Sequence, residues 1–226
     1  MIPWDPVPVD AQDAPGAATG RKPRSPLPAQ EPRGDALGRR LDEGKSMTLE
    51  RSSTRRPAVS LRPAGPADAA ALDRLLERSY ARLMAEAYPP AVLSAALPLI
   101  ARANPDLLAD GNYYLAADAY GREQAPLLGA GGWSLARPGS GYVEPGLAHI
   151  RHFAVDPDAT GRGIGAALYD RCRTAAQAVG VARMEVYASL NAVGFYARMG
   201  FARIEDVSIQ FAPEVAFAAV RMRRDL

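Results

Sequence analysis

The sequence predicts an α/β domain over residues 58–226, with a single mixed central sheet of about six to seven strands and helices on both faces. Three observations carry that expectation. Apolar residues make up 48% of the chain and charged ones 23%, enough apolar side chain to bury a core. Runs with period-two alternation are interleaved with runs at helical spacing. Late in the chain, an apolar strand ends in a glycine turn and a helix begins at once.

The order of elements reads β-α-α-β-β-β-α-β-α-β-β. Ala58 to Arg62 alternates, with Val59 and Leu61 apolar, as a first strand should. Asp68 precedes a helix over Ala69 to Leu83, in which Leu72, Leu75, Leu76, Tyr80 and Leu83 fall at helical spacing. Pro89 and Pro90 close it and open a second helix, Ala91 to Ala103, which Pro98 should kink or end early. Strands follow at Tyr113 to Ala117 and Leu127 to Ala136. Gly129, Gly131 and Gly132 in the latter mark a bend or a close approach by a neighbour. A Pro- and Gly-rich loop, Arg137 to Gly146, leads into a strand at Ala148 to Val155. The helix from Gly163 to Val179 sets Ile164, Leu168, Cys172, Ala175 and Val179 on one face. Then come a strand at Ala182 to Ser189, a short helix at Ala192 to Met199 stopped by Gly200, and strands near Arg203 to Gln210 and Phe217 to Arg223.

Residues 1–57 differ in composition. They hold 9 of the 20 prolines, both lysines and almost no periodic apolar residues, and read as a disordered Pro/Arg-rich tail. Met47 stands just before the folded pattern, so a native start there would leave the domain whole. Across the chain, 27 Lys and Arg balance 25 Asp and Glu, which argues against a protein that coats nucleic acid. The single cysteine, Cys172, excludes an internal disulfide framework and a Cys-based zinc cluster; no metal is expected. No run approaches the ~18 apolar residues of a membrane span, and no secretory leader is visible. The expected setting is the cytoplasm, with no membrane partner.

The informative segment runs from Ile150 through Val155 and Thr160 to Leu168. Gly161, Gly163 and Gly165 clear side chains from a helix N-terminus, where unpaired amides and the positive end of the helix dipole make an anion site. Phosphate is the natural ligand, and Arg162 could add a charge-assisted contact. Gly161, Gly163 and Ala166 also fit a dinucleotide-binding pattern, with Glu185 as the ribose-binding acid. That pattern needs several more strand-helix units than the 60 residues after Ala166 can hold.

These residues resemble the GNAT superfamily of acyl-CoA-dependent N-acetyltransferases. Its central signature, Q/R-x-x-G-x-G/A, aligns with Thr160-Gly161-Arg162-Gly163-Ile164-Gly165, where Thr160 stands in place of the usual Gln or Arg. A second signature resembles the stretch from Leu190 to Phe201, and the order of elements follows the family from residue 58 onward. The resemblance implies that acetyl-CoA is the cosubstrate. Its pyrophosphate would rest on the amides of Gly161, Arg162, Gly163, Ile164, Gly165 and Ala166. Its pantetheine would pair along Phe153, Ala154 and Val155, in a gap between that strand and the one at Ala182 to Ser189.

The resemblance also implies direct attack of an amine on the thioester, with Tyr196 as general acid toward the departing thiolate. Asn191 is either a helix N-cap or a contact to pantetheine or a bound water. The base is open between His152, Glu185 and water. His149 and His152 are the only histidines and fall on opposite faces by strand alternation. Tyr80, Tyr88, Trp133 and Tyr142 are aromatic candidates for the acceptor pocket, and Glu86 and Glu144 are acids that could attract a cationic amine. Cys172 reads as packing. The expected activity is N-acetylation of a small-molecule or protein primary amine, with room for a homodimer through a C-terminal strand. The alternatives are a non-catalytic acyl-CoA-binding or regulatory module of the same fold and, more distantly, a nucleotide-binding oxidoreductase.

Overall fold

The computed structural model describes residues 8–10, 59–121, 125–212 and 215–226. Every described residue lies in one compact unit. The expectation of a disordered tail over 1–57 therefore lies outside the described residues, except at Pro8–Asp10, which form a strand.

In chain order the elements are β1 (Pro8–Asp10), β2 (Val59–Pro63), α1 (Ala69–Leu83), α2 (Pro90–Ile100), α3 (Pro105–Ala109), β3 (Tyr113–Asp118), β4 (Gly129–Ser134) and β5 (Leu147–Val155). They continue with α4 (Ile164–Ala178), β6 (Arg183–Ser189), α5 (Val193–Arg198), β7 (Ala202–Ala212) and β8 (Val215–Asp225). One mixed sheet runs β1-β7-β8-β6-β5-β4-β3-β2. Only β5 and β6 are parallel; every other pair is antiparallel. Strands β2 to β8 are the seven the sequence predicts. The three residues of β1 add an eighth by pairing with β7, Pro8 opposite Ile209.

Two helical elements differ from expectation, each for a local reason. Helix α2 ends at Ile100 rather than Ala103, with Pro98 inside its last turn. Proline lacks the N–H that would continue the helical bonding. Helix α3 is new. The Asn104 side chain accepts from the Asp106 and Leu107 N–H groups, and Pro105 takes the first helical position. No helix among the described residues is long and apolar enough to cross a membrane.

Each sheet face carries its own core. Leu72, Leu76 and Leu93 of α1 and α2 pack with Leu115, Ala154, Val207 and Phe217. On the opposite face, Ile164 and Leu168 of α4 and Tyr196 of α5 pack with Trp133, Ile150, Met184 and Val220.

The side chains of β5 do not alternate along its whole length. The β4–β5 register slips between Ala130, opposite Ala154, and Gly132, opposite Arg151, so Gly131 faces two residues. His152 takes up the slack at φ 45°, a β-bulge. Ala148 and Ile150 face α4, whereas Ala154 faces α1. His152 consequently faces α1, in a small pocket with Leu72, Leu76 and Tyr113. This corrects the expectation of opposite faces: the bulge puts His149 and His152 on one side. The bulge also presses the Phe153 ring onto β4, where a Cβ at Gly131 would sit 2.5 Å from it. Gly131→Ala should cost about 1–3 kcal/mol in a denaturant titration, and an unchanged midpoint would show that the ring can yield.

Candidate functional site

Strands β5 and β6 pair only at Leu147–Arg183, Ala148–Met184 and His149–Glu185. Beyond His149 they part. Each keeps its outer neighbour: β5 stays on β4 as far as Val155, and β6 stays on β8 as far as Ser189. From Phe153 to Val155 the β6-facing edge of β5 has no strand paired to it, a costly arrangement unless something extended lies along it. Ile150 to Val155 on one side and Val186 to Ser189 on the other line a cavity of about 570 Å³, a size suited to a cofactor or drug-sized ligand.

The glycine turn opens on that cavity. Gly161 and Gly163 have φ of 74° and 82°, and a Cβ on either would meet only open space. Glycine is needed there for its left-handed backbone, not for room. Gly163 is the N-cap of α4, and no side chain caps the helix. The first amides of α4 therefore lack intrahelical partners, and Gly163, Ile164, Gly165 and Ala166 all lie on the cavity wall. Gly165 serves a different purpose from the other two glycines: a Cβ there would come 3.1 Å from the Phe195 ring. It lets α5 close against α4. Thr160 turns its hydroxyl away, donating to the Pro157 carbonyl at 3.2 Å.

Tyr196, from the core on the α4 side, reaches the cavity wall. It is 4% exposed, with Phe195, Phe201 and Phe153 ring centroids at 5.0, 5.5 and 6.3 Å. Burial, with smaller contributions from Tyr80 and Cys172, pushes its phenol well above the usual range, so it stays protonated at any ordinary pH. Its hydroxyl has no hydrogen-bond partner among the described residues. Asn191 also lines the cavity, in the turn before α5. It caps nothing, because Ala192 holds the cap position of α5 and no side chain bonds there. The N-cap reading of Asn191 is thereby corrected. Arg162 is half-exposed and is not among the described residues on the cavity wall. Arg198 of α5 is on it, a residue the sequence reading passed over although it lies within the second signature.

Residues 113–222 match the family model of the acetyltransferase (GNAT) domain, from the start of β3 almost to the end of β8. That segment is a GNAT acetyltransferase domain. Solved structures share the fold of the chain that carries it. A GCN5-related N-acetyltransferase from Rhodopseudomonas palustris, also titled a class-II aminotransferase, superposes with a TM-score of 0.57 at 24% identity, over 74% of this chain and 95% of that one. The PaiA N-acetyltransferase from Thermoplasma acidophilum, in complex with coenzyme A, gives 0.54 at 15% identity, over 75% and 99%. No curated protein matches the sequence.

The remaining candidates sort themselves by position in this GNAT domain. His152 lies on the wall, with the Tyr113 hydroxyl donating to its carbonyl at 2.6 Å. Burial, aided by the Arg151 guanidinium, pulls its imidazole down to about 3. Glu185 is fully buried and off the wall. It accepts from Arg223 at 2.8 Å and lies 3.8 Å from the His149 Nδ1. Burial outweighs that carboxylate and lowers His149 to about 4, so the two do not form an ion pair at neutral pH. Of the four aromatic candidates only Tyr80 reaches the cavity. Tyr88 stacks on Phe217 behind it, donating to Ala218 O, while Trp133 is in the α4-side core and Tyr142 is 58% exposed. Glu86 is exposed, and Glu144 pairs with Arg183 at 2.9 Å. Cys172 is wholly buried.

Both histidines make stability depend on pH. Their folded-state values lie below the ordinary 6.5, so they stabilise the fold fully above pH 6.5. As pH falls below 6.5 the unfolded chain takes up protons that the folded one refuses until about 4 and about 3. Unfolding free energy should therefore drop between pH 6.5 and 4, by roughly 1.4 kcal/mol per pH unit for each histidine. A flat profile in urea titrations over that window would contradict the buried neutral state.

Proposed function

We propose that this protein transfers an acetyl group from acetyl-CoA to a primary amine by direct attack of the neutral nitrogen on the thioester. The observation that carries the reading is the parting of β5 from β6 beside an uncapped helix N-terminus, with Tyr196 on the same wall. The α4 amides and the glycine turn suit a diphosphate. The unpaired edge of β5 at Phe153 to Val155 suits the amide-bearing arm that follows it. Asn191 and Arg198 can add polar contacts to the same molecule.

In the reaction the amine nitrogen bonds to the thioester carbon, the carbon–sulfur bond breaks, and the electron pair leaves on sulfur. The Tyr196 phenol, kept protonated by burial, donates a hydrogen bond to that sulfur and passes it a proton while water hands the phenol the excess proton shed by nitrogen, so no buried phenolate is left. His152, neutral at working pH, holds that water rather than taking the proton itself, because a group that binds a proton only near pH 3 is a weak acceptor.

The test is calorimetric titration with acetyl-CoA, followed by a panel of amines read by release of CoA thiol. Heat on titration and thiol release only with certain amines are expected. No heat would sink the reading, and heat without thiol release for any amine would indicate a binding module instead.

A further inference from the structure

The cavity has a second half, on the α1 and α2 side of the sheet, that cofactor binding does not account for. Leu83, Leu99, Ile100, Tyr187 and Phe211 all line it, and all remain partly exposed to it rather than sealed in the core. Apolar side chains left open in a concave wall mark a surface that a ligand, not the protein, covers. The charges are equally informative. No Asp or Glu is among the described residues on the wall; the formal charges there are Arg151 and Arg198.

We infer that the acceptor is a primary monoamine carried on an uncharged apolar body, aromatic or branched-aliphatic, and not a polyamine or a lysine-like chain with further charge. This rests on the acetyl-transfer reading above. A cationic acceptor needs carboxylates to replace its lost hydration, and this wall offers none among the described residues. An apolar body, in contrast, gains from covering the five open side chains. The same environment disfavours the ammonium form of the bound amine and so delivers the neutral nucleophile. That agrees with a site whose one wall-lining histidine is a weak base.

The experiment compares 2-phenylethylamine and isopentylamine with spermidine and L-lysine, each with acetyl-CoA. The readouts are kcat/KM from thiol release and, separately, the calorimetric Kd of each amine in the presence of CoA. The apolar monoamines should exceed spermidine and lysine by ~100-fold in kcat/KM and bind more tightly. Leu99→Glu, at a partly exposed helix position, should shrink that ratio at least ~10-fold by giving a second ammonium a partner. Equal or better use of spermidine or lysine overturns the inference and leaves acetyl transfer standing. So does acetyl-CoA binding with no turnover of either monoamine. Absence of acetyl-CoA binding overturns both readings together.

Discussion

Tyr196→Phe should reduce turnover by roughly a hundred- to ten-thousandfold, the usual worth of a positioned general acid, with the Kd for acetyl-CoA unchanged. The substitution removes one oxygen from a residue that is 4% exposed and keeps the ring contacts to Phe195, Phe201 and Phe153. Because the hydroxyl has no protein partner among the described residues, no buried donor or acceptor is orphaned. Stability should therefore hold within about 0.5 kcal/mol. The pH–rate profile of the parent should show no limb from this phenol up to pH 10, since burial raises it further. A mutant that turns over at the parental rate removes Tyr196 from the chemistry.

Gly163→Val should weaken acetyl-CoA binding by roughly tenfold or more while leaving the fold intact. The backbone at this position is held at φ 82°, and a Cβ would touch nothing. The whole penalty is thus conformational, about 1–2 kcal/mol for an ordinary L-residue and more for a β-branched one. If valine relaxes to negative φ, the amides at the head of α4 turn away and affinity falls. If the loop holds them in place, the same energy is lost from stability instead. Measuring both separates the two, and Gly163→Asn, which tolerates the left-handed region, should fall between glycine and valine. A valine variant with parental affinity and parental stability would remove the anion-binding role of the turn.

Much of this was legible in the chain. Periodicity located the seven strands of the folded part and four of its five helices within a few residues, because burial on one face leaves its repeat in the sequence. The glycine turn was equally plain, since left-handed backbone leaves few choices of residue. What was not legible arose from pairing between distant segments. The slip that turns His152 onto the face of His149 depends on Gly131 opposing two residues of β5. Gly165 looked like part of the anion turn, yet it answers to Phe195, thirty residues later in the chain. Only Asn104 and Pro105, which begin α3, carried a local signal that the periodicity reading did not use.

The sequence by itself determined the order of elements, the mixed sheet, the uncapped turn ahead of α4 and the family to which they point. The tertiary structure decided where β5 leaves β6, and hence which side chains line the opening: Tyr80 but not Trp133, Arg198 as well as Asn191, and no described acid. The reason is physical. Helices, turns and faces follow from neighbours a few residues apart, whereas a cleft is a failure of two strands to pair, set by everything packed on either side of them.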